Sequence, residues 1–285
     1  MATGVRSTGD EVILQSARAG EPDRYLAALL APLPARLHLL ALAAFSSELA
    51  HVSAAVTREP AMGEIRLQWW RDSLAPDAVP TGNPIADALH TAIAEASLPR
   101  PVLLEVIDAH ALDLSPQPLE SDADLDDYLQ RTEGALFGLA ARILDDRRGG
   151  APHATALAAG RVYGLARVLL GLPHALSRGR QPLPRARIEA AGLSRDVLLA
   201  GEGGDRIAGL LDALHGEARA ALAEARGHVA NLPRELRLAF LPLALVETYL
   251  RALERPGRDV LRAPAGIAPL TRVFKIAAAH WLGRL

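Results

Sequence analysis

Residues 63–74 read GEIRLQWWRDSL. Trp69 and Trp70 stand side by side between Arg66 and the Arg71–Asp72 pair, and the chain holds only three Trp in all. The stretch follows the breaker Glu59-Pro60-Ala61-Met62-Gly63 and reads as a helix over Glu64–Leu74. Successive residues on a helix lie about 100° apart, so both indoles cannot enter one core. One is expected to pack inward, and the other to cap a cavity mouth, a lipid surface or a partner. Arg66 and Arg71, or Arg71 and Asp72, are expected to hold ion pairs around them.

Upstream, AAFSSELAHV (43–52) sits in a longer run with apolar residues at Leu37, Leu40, Ala41, Ala44, Leu49, Val52 and Val56, a helical period over Ala35–Arg58. The same reading extends along the chain. Half of the 285 residues are hydrophobic, led by Ala and Leu, and aromatics are few. That mix favours helix, because Ala and Leu lose little on entering one. Further helices are expected over Ile85–Ser97, Arg100–Leu114, Tyr128–Leu144, Ala154–Leu172 (stopped by Pro173), two within 185–225 parted by Gly201–Gly204, Pro233–Leu253 and Ile267–Leu285. The acids Asp122, Asp124, Asp126 and Asp127 suit a helix N-terminus. No strand or repeat emerges, and the expectation is one all-α bundle of roughly ten helices. Residues 1–20 read as a flexible N-terminal segment with a short helix over Asp10–Arg18, and 21–285 as a single helical domain.

Composition narrows function. A net charge of −2 argues against a generic nucleic-acid binder. With no cysteine, thiolate catalysis and zinc–thiolate sites are excluded. The N-terminus lacks a secretory pattern. Leu26–Phe45 is interrupted by Pro32, Pro34, Arg36 and His38, and Leu238–Val246 is too short to span a bilayer. The expected setting is cytoplasmic, peripheral to the inner membrane at most, with no transmembrane segment. Ser46-Ser47 beside Glu48 and His51 lacks an orienting partner for nucleophilic work, and the scattered His show no ligand spacing.

The two quoted stretches, together with Tyr128-Leu-Gln-Arg-Thr-Glu-Gly134, Gly179-Arg180 and Leu183-Pro184, resemble the phytoene/squalene synthase family. Within it they are most similar to the branch that includes the respiratory complex I assembly factors. The resemblance implies the all-α isoprenoid (terpenoid) synthase-type helical bundle. It also implies two Asp-rich motifs on facing helices, each with two Asp one turn apart, to hold Mg²⁺ and a prenyl diphosphate. Aligned to those motifs, this chain places Ala50 and Ala54 in the first and Gly171 and Ala175 in the second. A register-free check agrees: no Asp or Glu lies between Arg24 and Ser47, Glu48 stands alone until Glu59, and the 42 residues 147–188 contain none.

That second acid-free stretch holds eight arginines: Arg147, Arg148, Arg161, Arg167, Arg178, Arg180, Arg185 and Arg187. It reads either as an anion site that no longer needs metal or as a solvated basic face balancing acids elsewhere. The candidate ligand or anion contacts are therefore Arg167, Arg178, Arg180, Tyr128, Gly134, Glu48, Arg66, Trp69, Trp70, Arg71 and Asp72, with no confident catalytic residue and no metal ligand. Gly134 and Gly138 would permit close helix approach. The expected role is a non-catalytic relative that binds a hydrophobic or anionic molecule, an isoprenoid or lipid, or a respiratory-complex subunit, without cofactor. The alternative is an active head-to-head prenyl transferase using Mg²⁺, with carboxylates drawn from Glu48 and Asp72 or from Asp122–Asp127. A plain isoprenoid or lipid carrier is a third reading.

Overall fold

The computed structural model describes residues 8–55, 60–115, 117–145, 151–255 and 259–285. Its helices are α1 (Thr8–Gly20), α2 (Pro22–Ala28), α3 (Leu33–Ala55), α4 (Pro60–Ser73), α5 (Pro84–Glu95), α6 (Arg100–His110), α7 (Asp122–Leu129), α8 (Ala135–Leu144), α9 (His153–Ser177), α10 (Arg185–Ala190), α11 (Arg195–Ala200), α12 (Asp205–Ala230), α13 (Arg234–Arg237), α14 (Val246–Leu253) and α15 (Pro269–Leu282). No strand occurs among the described residues. The all-α expectation holds, with one core running through the whole bundle.

Two long apolar helices organise the packing. α3 lies against α1, α2, α5 and α8, and α9 lies against α8, α12 and α14. Phe45, Leu49, Leu169 and Leu172 are fully buried where these helices meet their neighbours. By length and composition α9 could cross a membrane, yet 61% of its apolar window is buried inside the bundle, as in the core helix of a packed domain.

Local chemistry sets several boundaries. Asn83 accepts hydrogen bonds from the backbone N–H groups of Ile85 and Ala86, and Pro84 opens α5. Ser121 and Asp124 form a reciprocal capping box at the start of α7. The acidic cluster is thus a helix start, as its position implied. α7 runs into α8 through one wide π-turn, Gln130–Gly134.

Three expectations need correction. The segment 1–20 is not flexible throughout: Thr8–Gly20 is helical and packs on α3, with Ala17 wholly buried; residues 1–7 lie outside the described residues. Pro173 does not stop α9, which continues to Ser177. A proline forfeits one helical hydrogen bond, but Pro173 and Leu176 are both buried, and their burial outweighs that loss. Finally, 185–225 contains three helices rather than two, because the chain also turns at Gly192, where φ is +68°.

Candidate functional site: a charge-compensated cavity

α3, α6, α7, α8 and α9, with the start of α2, line an open cavity of about 280 Å³. Its wall includes Glu21, Ser46, Ala50, His110, Asp113, Tyr128, Thr132, Glu133, Gly164, Arg167 and Gly171. Ala50 from α3 and Gly171 from α9, aligned separately to the two Asp-rich motifs, face this same space. A second cavity, about 320 Å³, adjoins it through Asp113, Tyr128 and Val168 and is lined by Ala175 and Arg180. The side chain of Ala54 lies outside the described residues.

The cavity wall carries charged side chains, and every carboxylate among them is matched. Glu21 is 1% exposed and takes hydrogen bonds from Arg167 (2.6 Å), Arg24 (2.8 Å) and Ser46 Oγ (3.0 Å). Glu133, presented by the π-turn, accepts from Arg24 at 2.6 Å and pairs with Arg167 at 3.3 Å. The result is a closed four-member ring of alternating charge. Arg24 also lies 5.1 Å from the ring centroids of both Phe137 and Tyr163. Burial alone would raise the Glu21 pKa, but Arg167 and Arg24 outweigh it and hold the carboxyl at about 2. Asp113 is met by His110 Nδ1 at 2.8 Å, by the Tyr128 hydroxyl at 3.0 Å and by Arg180 at 3.9 Å. Burial, then Asp113, pushes the Tyr128 pKa well up, so it remains a phenolic donor. Deeper still, Asp23 receives Tyr249 (2.6 Å) and Tyr163 (2.9 Å) and pairs with Arg272 of α15 at 2.7 Å.

This donor set does not fit a Mg²⁺–diphosphate site. Hard cations need carboxylate oxygens left over for them, two or more per ion cluster. Here the formal charges of Glu21, Glu133, Arg24 and Arg167 sum to zero, and Asp113 faces Arg180. Among the described residues no group of three or more His, Asp or Glu is placed to hold a metal ion.

The sequence candidates scatter around this centre. Tyr128, Gly134's neighbour Glu133 and Arg167 meet at the cavity, and Arg180 reaches its outer half. Arg167 is already paired with two carboxylates, Glu21 and Glu133, so it brings no net positive charge to an anion. Arg178 is half-buried at the end of α9, where its backbone N–H bonds to Ala175. Glu48 points at α1 and accepts from Ser16 at 3.3 Å, and Asp72 is exposed and holds Gln68 at 2.8 Å. Neither lines the cavity, so the carboxylate substitution by Glu48 and Asp72 is not realised. Asp122 and Asp126 are taken by Arg187 and Arg161.

The basic stretch resolves the same way. Arg161 meets Asp126 and Glu217, Arg185 meets Glu120, and Arg187 meets Asp122 and Glu217. The acid-free run is basic in sequence but balanced in space; Arg147 and Arg148 lie outside the described residues.

Trp70 is the inward indole, 3% exposed and edge-on to Phe45 at 5.1 Å. Trp69 covers it from outside at 5.0 Å and is 38% exposed. Arg71 bonds Asp108 of α6 at 2.7 Å, not Asp72, while Arg66 is exposed and forms no ion pair among the described residues. This element therefore clamps α4 to α6 and α3.

One glycine expectation changes. A Cβ on Gly134 would meet nothing closer than 3.5 Å, whereas one on Gly160 of α9 would sit 2.3 Å from the Gly134 nitrogen. The glycine required for close approach is on the partner helix. Gly179 has φ +70° and ends α9, with its N–H on the Leu176 carbonyl. No atom would meet a Cβ there, so Gly179→Ala carries only backbone strain, expected to cost about 1–2 kcal/mol in a urea melt.

The residues that the sequence left unmarked are Glu21, Asp23, Arg24, His110, Asp113 and Glu133. Glu21 and Asp23 flank Pro22 at the start of α2, a place where acids are ordinary in any helix. Glu133 was in plain view within YLQRTEG, beside the glycine.

Residues 17–273 match the squalene/phytoene synthase family. The chain belongs to that family. Squalene/phytoene synthase relatives of similar sequence include the mouse protein named NADH dehydrogenase (ubiquinone) complex I, assembly factor 6, which is 27% identical over 87% of this chain and 74% of its own. The Drosophila melanogaster homolog of that factor is 27% identical over 84% of this chain and 76% of its own. Among solved structures, squalene synthase HpnC from Alicyclobacillus acidocaldarius superposes with a TM-score of 0.71 at 23% identity, covering 87% of this chain and 93% of that one. At that identity the likeness speaks for the squalene/phytoene synthase fold.

Proposed function

We propose that this chain is a non-catalytic squalene/phytoene synthase-like protein acting in respiratory complex I assembly, in the cytoplasm and peripheral to the inner membrane. The observation that carries the first part is the cavity's charge balance. Glu21, Glu133 and Asp113 are each committed to arginine, histidine or tyrosine, and none is left to bind Mg²⁺. Arg24 and Arg167 already neutralise two buried carboxylates, so a diphosphate would find no net positive charge to offset its own, a barrier to its binding. A neutral apolar molecule, an isoprenoid or lipid tail, meets no such barrier. The relatives named as complex I assembly factors support the second part.

Purified protein incubated with farnesyl or geranylgeranyl diphosphate, Mg²⁺ and NADPH is expected to release no diphosphate above buffer. Turnover that EDTA abolishes would overturn this reading and establish a head-to-head prenyl transferase instead. Tagged protein from its own cells is expected to co-purify a complex I subunit, and its deletion to lower assembled complex I.

A further inference from the structure

α15 is held to the bundle by one face. Ile276 and Ala279 are buried, and Arg272 pairs with Asp23 beneath the helix. The opposite face is apolar and open: Leu270, Phe274, Trp281 and Leu282 are each between 69% and 74% exposed. Leu270, Phe274 and Trp281 follow the four- and seven-residue spacing of one helical stripe. A contiguous exposed stripe of large apolar side chains marks an interaction surface.

The charges around it identify the occupant. Residues 260–285 contain no Asp or Glu. At the end of α15, on the side of its buried Ala279, a cavity of about 300 Å³ is lined by Arg226, Arg234, Arg237 and Arg284 and by no Asp or Glu side chain. Among the described residues these arginines and Lys275, the chain's single lysine, form no ion pair with a carboxylate, unlike Arg161, Arg185 and Arg187. Arg237 instead donates to the carbonyls of Ala230, Leu232 and Gly283, keeping its full charge at this surface. Cations gathered at the end of a helix whose open face carries an apolar stripe with a tryptophan are complementary to lipid phosphates above acyl chains. α15 has 14 residues. That is about 21 Å of helix, too short for the ~30 Å hydrocarbon layer, so it would lie in the interface rather than cross it.

We propose that this face of α15 and the arginine cluster beside it form a docking surface for an anionic phospholipid membrane. The surface rests on the peripheral-membrane part of the proposed function and not on its assembly part: a chain with full prenyl transferase turnover would still dock.

The test is co-flotation with vesicles of mixed phosphatidylglycerol and phosphatidylcholine, against pure phosphatidylcholine. The wild-type chain is expected to float with the anionic vesicles and to be released by salt. The Phe274→Ser/Trp281→Ser double variant is expected to bind at least about tenfold more weakly, and Arg234→Gln or Arg284→Gln about fivefold each. These side chains are largely outside the core, so circular-dichroism melts should match wild type and keep the comparison clean. No flotation with anionic vesicles, equal binding to pure phosphatidylcholine, or a double variant that binds like wild type would each overturn the proposal. A wild-type dimer dispersed by the double variant, with no vesicle binding, would assign the face to a second copy and equally overturn it.

Discussion

Replacing Arg24 by alanine is expected to lower the unfolding free energy by about 3–5 kcal/mol, because it leaves buried carboxylates without their cation. Glu21 and Glu133 would then share only Arg167, whose side chain is 30% exposed. The guanidinium also fills space between Phe137 and Tyr163, so truncation opens a gap between those rings. In a chain of this size that loss corresponds to a fall in melting temperature on the order of 10 °C. A change below about 1 kcal/mol would mean that water already screens the ring of charges.

The acid response follows from the same contacts. The Glu21 pKa is lowered from 4.5 to about 2 in the fold. Its contribution is complete above about pH 4.5 and disappears as pH falls through about 2, when the folded carboxyl takes its proton. Asp23 works in the opposite sense. Burial pushes its pKa up despite Tyr249, Arg272 and Tyr163, so its contribution is present below the unfolded value of 3.8 and is lost as pH rises through the folded one. Urea melts across this window should show wild-type stability falling toward pH 2, and a flatter dependence in Arg24→Ala, which removes one of the two cations acting on Glu21.

Gly160→Ala is expected to cost about 3 kcal/mol or more, at the upper end for overpacking. The new Cβ would lie 2.3 Å and 2.4 Å from backbone atoms of Gly134 and 3.0 Å from the Glu133 carbonyl carbon. Backbone cannot rotate aside as a side chain does, so α9 and the π-turn must separate. Because Glu133 rides on that turn, the separation also loosens its contacts with Arg24 and Arg167. Gly134→Ala is the control. Its Cβ has room, and a helical alanine in place of glycine should leave stability unchanged or raise it by up to about 1 kcal/mol. Equal losses in the two variants would refute the assignment of the close approach to Gly160.

The helices were legible because their signals are local. Apolar period, Asn83-Pro84 and the Ser121–Asp124 box each act within a few residues. The misread points are those where burial of distant surface overrides a local rule, as at Pro173 and α1. The gap in carboxylates over 147–188 was equally plain, since an absence in the chain needs no partner to be read.

What joins the site is not local at all. Arg24 meets Glu133 across 109 positions, Arg167 meets Glu21 across 146, and Tyr249 meets Asp23 across 226. The sequence by itself determined an all-α chain of this family with long segments free of Asp and Glu. Only the tertiary structure decided that Arg24 and Arg167 are already paired with Glu21 and Glu133, while among the described residues the cations at the end of α15 pair with no Asp or Glu. Charge compensation acts through space over a few ångströms, and only folding sets which residues share those few ångströms.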